Sequence, residues 1–157
     1  MLDSRDLRIL IELAKDARTP LTRIAKVLSI SDVAVKKRLE RLEREGVIKG
    51  YVVNVNPRAL NFSRIALVGI NVEPGKILDV AKRVATLSES VFVALTSGDH
   101  DIVTEVWCKD SDELAKVIDK IRNIPGVKDV YPAIILESIK EREPFPIKKI
   151  EDMLKEE

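Results

Sequence analysis

The stretch Ser31-Asp32-Val33-Ala34-Val35-Lys36-Lys37-Arg38-Leu39-Glu40-Arg41-Leu42-Glu43-Arg44-Glu45-Gly46 decides the fold of the first third of the chain. Val35, Leu39 and Leu42 recur at i, i+4 and i+7, one apolar stripe of a helix. Ser31 or Asp32 suits the N-cap, and Gly46 is a natural C-terminal stop. With Val35 at the centre of the buried face, Val33, Lys37, Glu40, Arg41 and Arg44 point away from the core, at about 100° per residue. Lys36 and Arg38 fall on the flanks. The bland reading of this face is a solvated surface with charge pairs, such as Glu40 with Arg44 at i,i+4. The sharper reading is a helix that enters the DNA major groove.

The residues before this stretch favour the second reading. Leu7, Leu10, Ile11 and Ala14 recur at helical spacing, and Asp3 or Ser4 can cap that first helix. Thr19-Pro20 ends the following turn, because Pro fits a loop or a helix start but not a helix interior. A second helix follows over residues 21–28, with Leu21, Ile24, Ala25 and Leu28 on one face. Ser29-Ile30-Ser31 is a tight link to the third helix. This order is a helix-turn-helix, whose last helix lies in the major groove with its N-terminal residues on base edges. Ser31, Asp32, Val33, Ala34, Lys36 and Lys37 are therefore the expected base readers. Arg38, Arg41 and Arg44 are the expected phosphate contacts, joined by Thr22 and Arg23 at the start of the second helix.

Charge is distributed accordingly. Residues 1–50 carry 12 Lys/Arg against 8 Asp/Glu, and the remainder 15 against 18, for a total of +1. The basic half is the DNA-binding half. No apolar run approaches the roughly 20 residues that a membrane helix needs, and the charged N-terminus lacks a signal peptide. A cytoplasmic location is expected. The single cysteine, Cys108, has no triad partner and reads as a strand residue.

Beyond Gly46, residues 47–55 look extended until Asn56-Pro57 breaks the run. The second half then changes rhythm. It reads as a strand over 64–72, a helix over 76–87, a strand over 91–96, a turn over 97–101, and a strand over 102–108. A helix capped by Ser111 and a last strand over 128–139 follow. Two split βαβ units of this kind make a ferredoxin-like α+β domain: four antiparallel strands with two helices on one face. Apolar residues on both sides of the last strand leave the bare face wanting a partner, most simply a second copy. A tail follows, with Ile147, Ile150, Met153 and Leu154 at helical spacing. Phe145 and Ile147 are expected to anchor that helix on the second domain or on a neighbouring subunit.

At this point the residues carry a resemblance. The stretch from Ser31 to Tyr51, with its Leu-Glu-x-x-Gly-Val-Ile exit at residues 42–48, resembles the recognition helix of the Lrp/AsnC (feast/famine) regulators. Leu2 to Leu10 is similar to that family's opening helix, and Gly98-Asp99-His100-Asp101 resembles its Gly-Asp-Tyr-Asp turn. The resemblance implies a winged helix-turn-helix over 1–50 with short strands, a hinge strand and linker over 51–62, a ligand-binding and oligomerisation domain over 63–140, and a tail over 141–157. It implies double-stranded DNA as partner, a homodimer that builds tetramers or octamers, and an amino-acid effector between dimers. The carried-over effector residues are Gly98, Asp99, His100 and Asp101, with Val130, Pro132 and Ile134 of a neighbour's last strand. Read without the resemblance, residues 98–101 are a hairpin turn rich in the usual turn residues.

Two other functions fit the layout. Siroheme decarboxylases resemble the same architecture, but a large anionic tetrapyrrole wants converging Arg and His, and Arg64, Arg83, Arg122 and Arg142 do not cluster in sequence. An RNA-binding ferredoxin-like module needs aromatics on its central strands, and Phe92 and Trp107 do not form that pattern. A lone histidine, His100, gives no metal site, and no phosphate-binding Gly loop or nucleophile motif occurs, so no catalysis and no cofactor are expected.

Overall fold

The computed structural model describes residues 2–156. Six α-helices form: α1 (Ser4–Lys15), α2 (Leu21–Leu28), α3 (Asp32–Arg44), α4 (Ile77–Val84), α5 (Ser111–Arg122) and α6 (Ile147–Met153). Four strands form: β1 (Arg64–Val72), β2 (Ser90–Leu95), β3 (Ile102–Cys108) and β4 (Val127–Ile134). The chain divides into two compact units, residues up to Val53 together with those from Lys140, and residues Asn54–Ile139.

In the first unit, α1 starts at a reciprocal cap. The Asp3 carboxylate accepts from the Asp6 amide at 2.9 Å, and the Asp6 carboxylate accepts from the Asp3 amide at 3.0 Å. Asp3, not Ser4, is the cap. Ser29 takes the left-handed conformation at φ 52, which turns the chain sharply between α2 and α3. The Ser31 hydroxyl then accepts from the Ala34 amide at 3.1 Å and starts α3. Gly46, at φ 71, ends it, with the Val47 amide donating to Leu42 at 2.9 Å. Ile9, Ile24, Leu28, Val35 and Leu42 form the core of the unit.

Apolar packing is joined by one ionic tie. Asp6 is fully buried at 0% exposure. The Arg38 guanidinium donates to Asp6 at 2.8 Å and to Asp3 at 2.6 Å, and Arg41 donates to Asp6 at 2.5 Å. Two cations of α3 thus converge on one carboxylate of α1. Burial works against ionisation of Asp3, yet the Asp6 amide and the Arg38 guanidinium hold its carboxyl below the usual carboxylate value.

Two expectations for this unit are corrected. Residues 47–56 form no strand, so neither the short strands of the wing nor a hinge strand within 51–62 is present among the described residues. A strand requires a hydrogen-bonding partner strand, and Val52 and Val53 stand exposed without one. Tyr51 is held by its side chain, its hydroxyl donating to Glu43 at 2.8 Å. The tail helix α6 packs on α1 of this same unit, where Lys15 meets Glu151 at 2.9 Å.

The second unit is a four-stranded antiparallel sheet in the order β2-β3-β1-β4. Helices α4 and α5 pack on one of its faces. Ala66, Val68, Ile70 and Val72 of β1 and Ile102 and Val106 of β3 meet Val80, Val84, Leu114, Val117 and Ile121 there. Cys108 belongs to this core, and burial pushes its thiol up to about 11, which removes it as a nucleophile at neutral pH. Asp110, not Ser111, caps α5, accepting from the Glu113 amide at 2.8 Å. The last strand stops at Ile134 rather than 139, because its partner β1 begins at Arg64. The final ladder bond runs from the Ile135 amide to Ile65 at 2.8 Å.

The ionic tie sets a stability prediction. Asp6→Asn leaves two arginines facing a neutral amide, and we expect a loss of about 3 kcal/mol, as for breaking a buried pair from one side. Urea denaturation of the variant against wild type measures this. A change below about 0.5 kcal/mol, the usual size for an inert surface site, would show that the tie is dispensable.

Candidate nucleic-acid interface and regulatory turn

Helix α3 presents a surface that differs from the even basic face expected from its sequence. Val33, Lys36, Lys37 and Arg44 are exposed. Arg38 and Arg41 are not: both turn onto Asp3 and Asp6, which removes two of the three arginines expected at phosphates from the free face. Glu40 pairs with Lys36 at 4.0 Å rather than with Arg44. Ser31 and Asp32 spend side-chain oxygens on the Ala34 and Val33 amides, and Ala34 is half-buried. Thr22 and Arg23 are exposed on the first turn of α2, where no side chain caps the helix amides. Such amides carry the positive end of the helix dipole.

The turn Gly98-Asp99-His100-Asp101 links β2 to β3. Asp101 latches it: its carboxylate accepts from the Val72 amide at 2.8 Å, and its own amide donates to Ile70 at 3.1 Å. The Thr96 hydroxyl donates to the His100 carbonyl at 2.6 Å. These bonds fold His100 back over the helix-free face of the sheet. Its ring lies on Gly69, where a Cβ would come within 2.2 Å of Cδ2. Nδ1 sits 3.1 Å from Asn71 Oδ1, and the ring packs on Tyr131 with centroids 5.1 Å apart. Gly98 and Asp99 remain exposed at the tip.

The expected partners on the last strand have the other parity. Val130, Pro132 and Ile134 pair with Ile70, Val68 and Ala66, so they lie on the helix-side face, and Val130 is buried in that core. Tyr131 and Ala133 pair with Gly69 and Leu67 and share the open face with His100. Strand side chains alternate, so the two sets lie on opposite faces of the sheet. The open face also carries Phe92 and Trp107. The Trp107 ring meets Phe62 at 5.8 Å, and its Nε1 donates to Glu105 at 2.7 Å. Glu105 is only 5% exposed, between Val103 and Trp107 on the open face of β3.

Sequence reasoning passed over Asp6, Gly69, Asn71 and Tyr131. The Asp3-x-x-Asp6 spacing of a reciprocal cap was the available signal for Asp6. Tyr131 was within reach of strand parity, whereas nothing local marks Gly69 or Asn71. Among the described residues no group of His, Cys, Asp and Glu could hold a metal, and no helix is long and apolar enough to cross a membrane.

Known proteins share both units. Residues 2–49 match a winged helix-turn-helix DNA-binding family model, and residues 65–145 match the Lrp/AsnC ligand binding domain. HTH-type transcriptional regulator LrpA of Pyrococcus abyssi is 47% identical over 144 residues, covering 89% of this chain and all of that protein. HTH-type transcriptional regulator FL11 of Pyrococcus furiosus is 35% identical, covering 94% of this chain and 98% of that protein. The solved structure of E. coli AsnC superposes with a TM-score of 0.84 at 26% identity, over 90% of this chain and 97% of that one. The two Pyrococcus relatives are named transcriptional regulators rather than enzymes, and the winged helix-turn-helix supplies the DNA-binding part. The chain belongs to the Lrp/AsnC family of DNA-binding transcription regulators.

Proposed function

We propose that this regulator reads duplex DNA with the N-terminal half of α3, as a two-fold dimer formed through the open face of its sheet, under control of an amino acid bound at the turn 98–101. The observation that carries the DNA contact is the outward surface of α3. Val33, Lys36, Lys37 and Arg44 are presented there, beside the uncapped start of α2 with Thr22 and Arg23. Ser31, Asp32, Val33, Ala34, Lys36 and Lys37 face base edges in this reading. Lys37 and Arg44 extend to acceptors on base edges and phosphates, and the α2 amides suit a phosphate oxygen. Arg38 and Arg41 act inward instead, holding α3 on α1.

The dimer reading rests on Leu67, Phe92 and Tyr131, large apolar side chains exposed on the helix-free face. A second copy laid sheet on sheet would cover them, and pairs of such dimers would give tetramers or octamers. Two recognition helices would then favour a palindromic site with half-sites about 10 bp apart or a multiple of that spacing.

The effector reading rests on the chemistry at the turn. The exposed Asp99 carboxylate suits an ammonium group, and the open backbone at Gly98, at φ 137, suits a carboxylate. Asp101 and His100 shape the turn.

Three experiments test these readings. In gel shifts with duplexes selected from random sequence, Arg44→Gln should weaken all sites and flatten the salt slope by about 0.9 per subunit, one phosphate's worth. Arg38→Gln should lower the melting temperature and leave that slope unchanged; an equal slope change in both variants would return Arg38 to the phosphate set. In analytical ultracentrifugation, Phe92→Asp should shift the assembly toward monomer, since a buried unpaired carboxylate costs several kcal/mol, about 3 or more. Dimers that persist unchanged would move the interface elsewhere. Gly69→Ala should expel the His100 ring and weaken amino-acid binding in a thermal-shift panel, with the fold retained. Binding of the same amino acids with unaltered affinity would detach the turn from the effector.

A further inference from the structure

Helix α3 contains two valines with opposite surroundings. Val35 is 0% exposed in the core, and Val33 is 58% exposed on the far side of the helix. A branched hydrocarbon there contributes nothing to the core of its own unit, and β-branched side chains are not favoured in helices.

The groups around Val33 narrow what it can meet. The Asp32 carboxylate accepts from the Val33 amide at 3.0 Å, and the Ser31 hydroxyl accepts from the Ala34 amide at 3.1 Å. The Val33 and Ala34 amides at the tip of α3 are therefore satisfied internally, which leaves this tip less suited to bind a phosphate. Lys37, one turn on at i+4, shares the face of Val33 and makes no side-chain ion pair or hydrogen bond within the described residues. The face thus offers one apolar contact next to one mobile cation. In the major groove, one base presents an apolar group, the C5 methyl of thymine.

We infer that Val33 is a specificity-determining residue that packs on a thymine methyl group in each half-site. The inference rests on the reading that α3 enters the major groove. Burying one methyl-sized group predicts a preference of about fourfold per half-site.

The experiment uses the full chain. Duplex sites are selected from a random library, and each thymine of the selected motif is replaced in turn by deoxyuridine, which removes the methyl group alone. Wild type should bind about fourfold more weakly at one thymine per half-site. Val33→Ala, an exposed change that keeps the melting curve, should bind the thymine and deoxyuridine duplexes equally. Wild type that tolerates deoxyuridine at every position overturns the inference while DNA binding stands. So does a deoxyuridine penalty that persists undiminished in Val33→Ala. A library that yields no preferred sequence overturns the DNA reading, and this inference with it.

Discussion

One buried carboxylate organises the DNA-binding unit. Asp6 sits at the N-terminal end of α1 with no solvent exposure, and two guanidinium groups from α3 close on it. A carboxylate so buried is tolerable only when charge and hydrogen bonds are supplied at close range. Arg38 and Arg41 supply both. They stand three residues apart, so they rise from one side of α3 and meet a single target. The apolar stripe of Val35, Leu39 and Leu42 allows α3 to rotate or slide by small steps at modest cost. A fork-shaped, charge-assisted contact is less forgiving in direction. The rotation of α3 that presents Val33 and Lys37 outward is therefore fixed in part by ion pairs along its flank.

The tie also sorts the basic residues of the helix. Arginines and lysines of one short stretch look equivalent as a list of charges, yet they divide into an inward set and an outward set. The inward set holds the helix in place. The outward set, Lys36, Lys37 and Arg44, defines the electrostatic surface available to a polyanion. The tail helix α6 adds a further contact on α1 through Lys15 and Glu151, an exposed pair of small energetic weight.

In the second unit the corresponding constraint is steric. Gly69 leaves a gap in the middle of β1, and His100 fills it from the turn between β2 and β3. Asn71 and Tyr131 hold the ring from neighbouring positions on the same face. The turn is thereby fastened to the two strands beyond its own hairpin. A ligand or a second subunit that contacts residues 98–101 would act on β1 and β4 through that ring.

Much of this was already determined by local patterns. The 3.6-residue and two-residue periods set the helices and strands, and the order strand-helix-strand twice over set the ferredoxin-like domain. Ser31 and Gly46 marked the ends of α3 by their own chemistry. Local sequence could not place the partners of charged residues. Arg38 and Arg44 have the same side chain six residues apart, and only the approach of α1, 32 residues earlier at Asp6, makes one structural and leaves the other free. Nor could it give the parity of β4, because a one-residue change in register exchanges Val130 for Tyr131. The segment over 47–56 shows the same boundary from the other side. Its composition is that of a strand, but a strand exists only where another strand takes up its hydrogen bonds, and that is decided by tertiary structure.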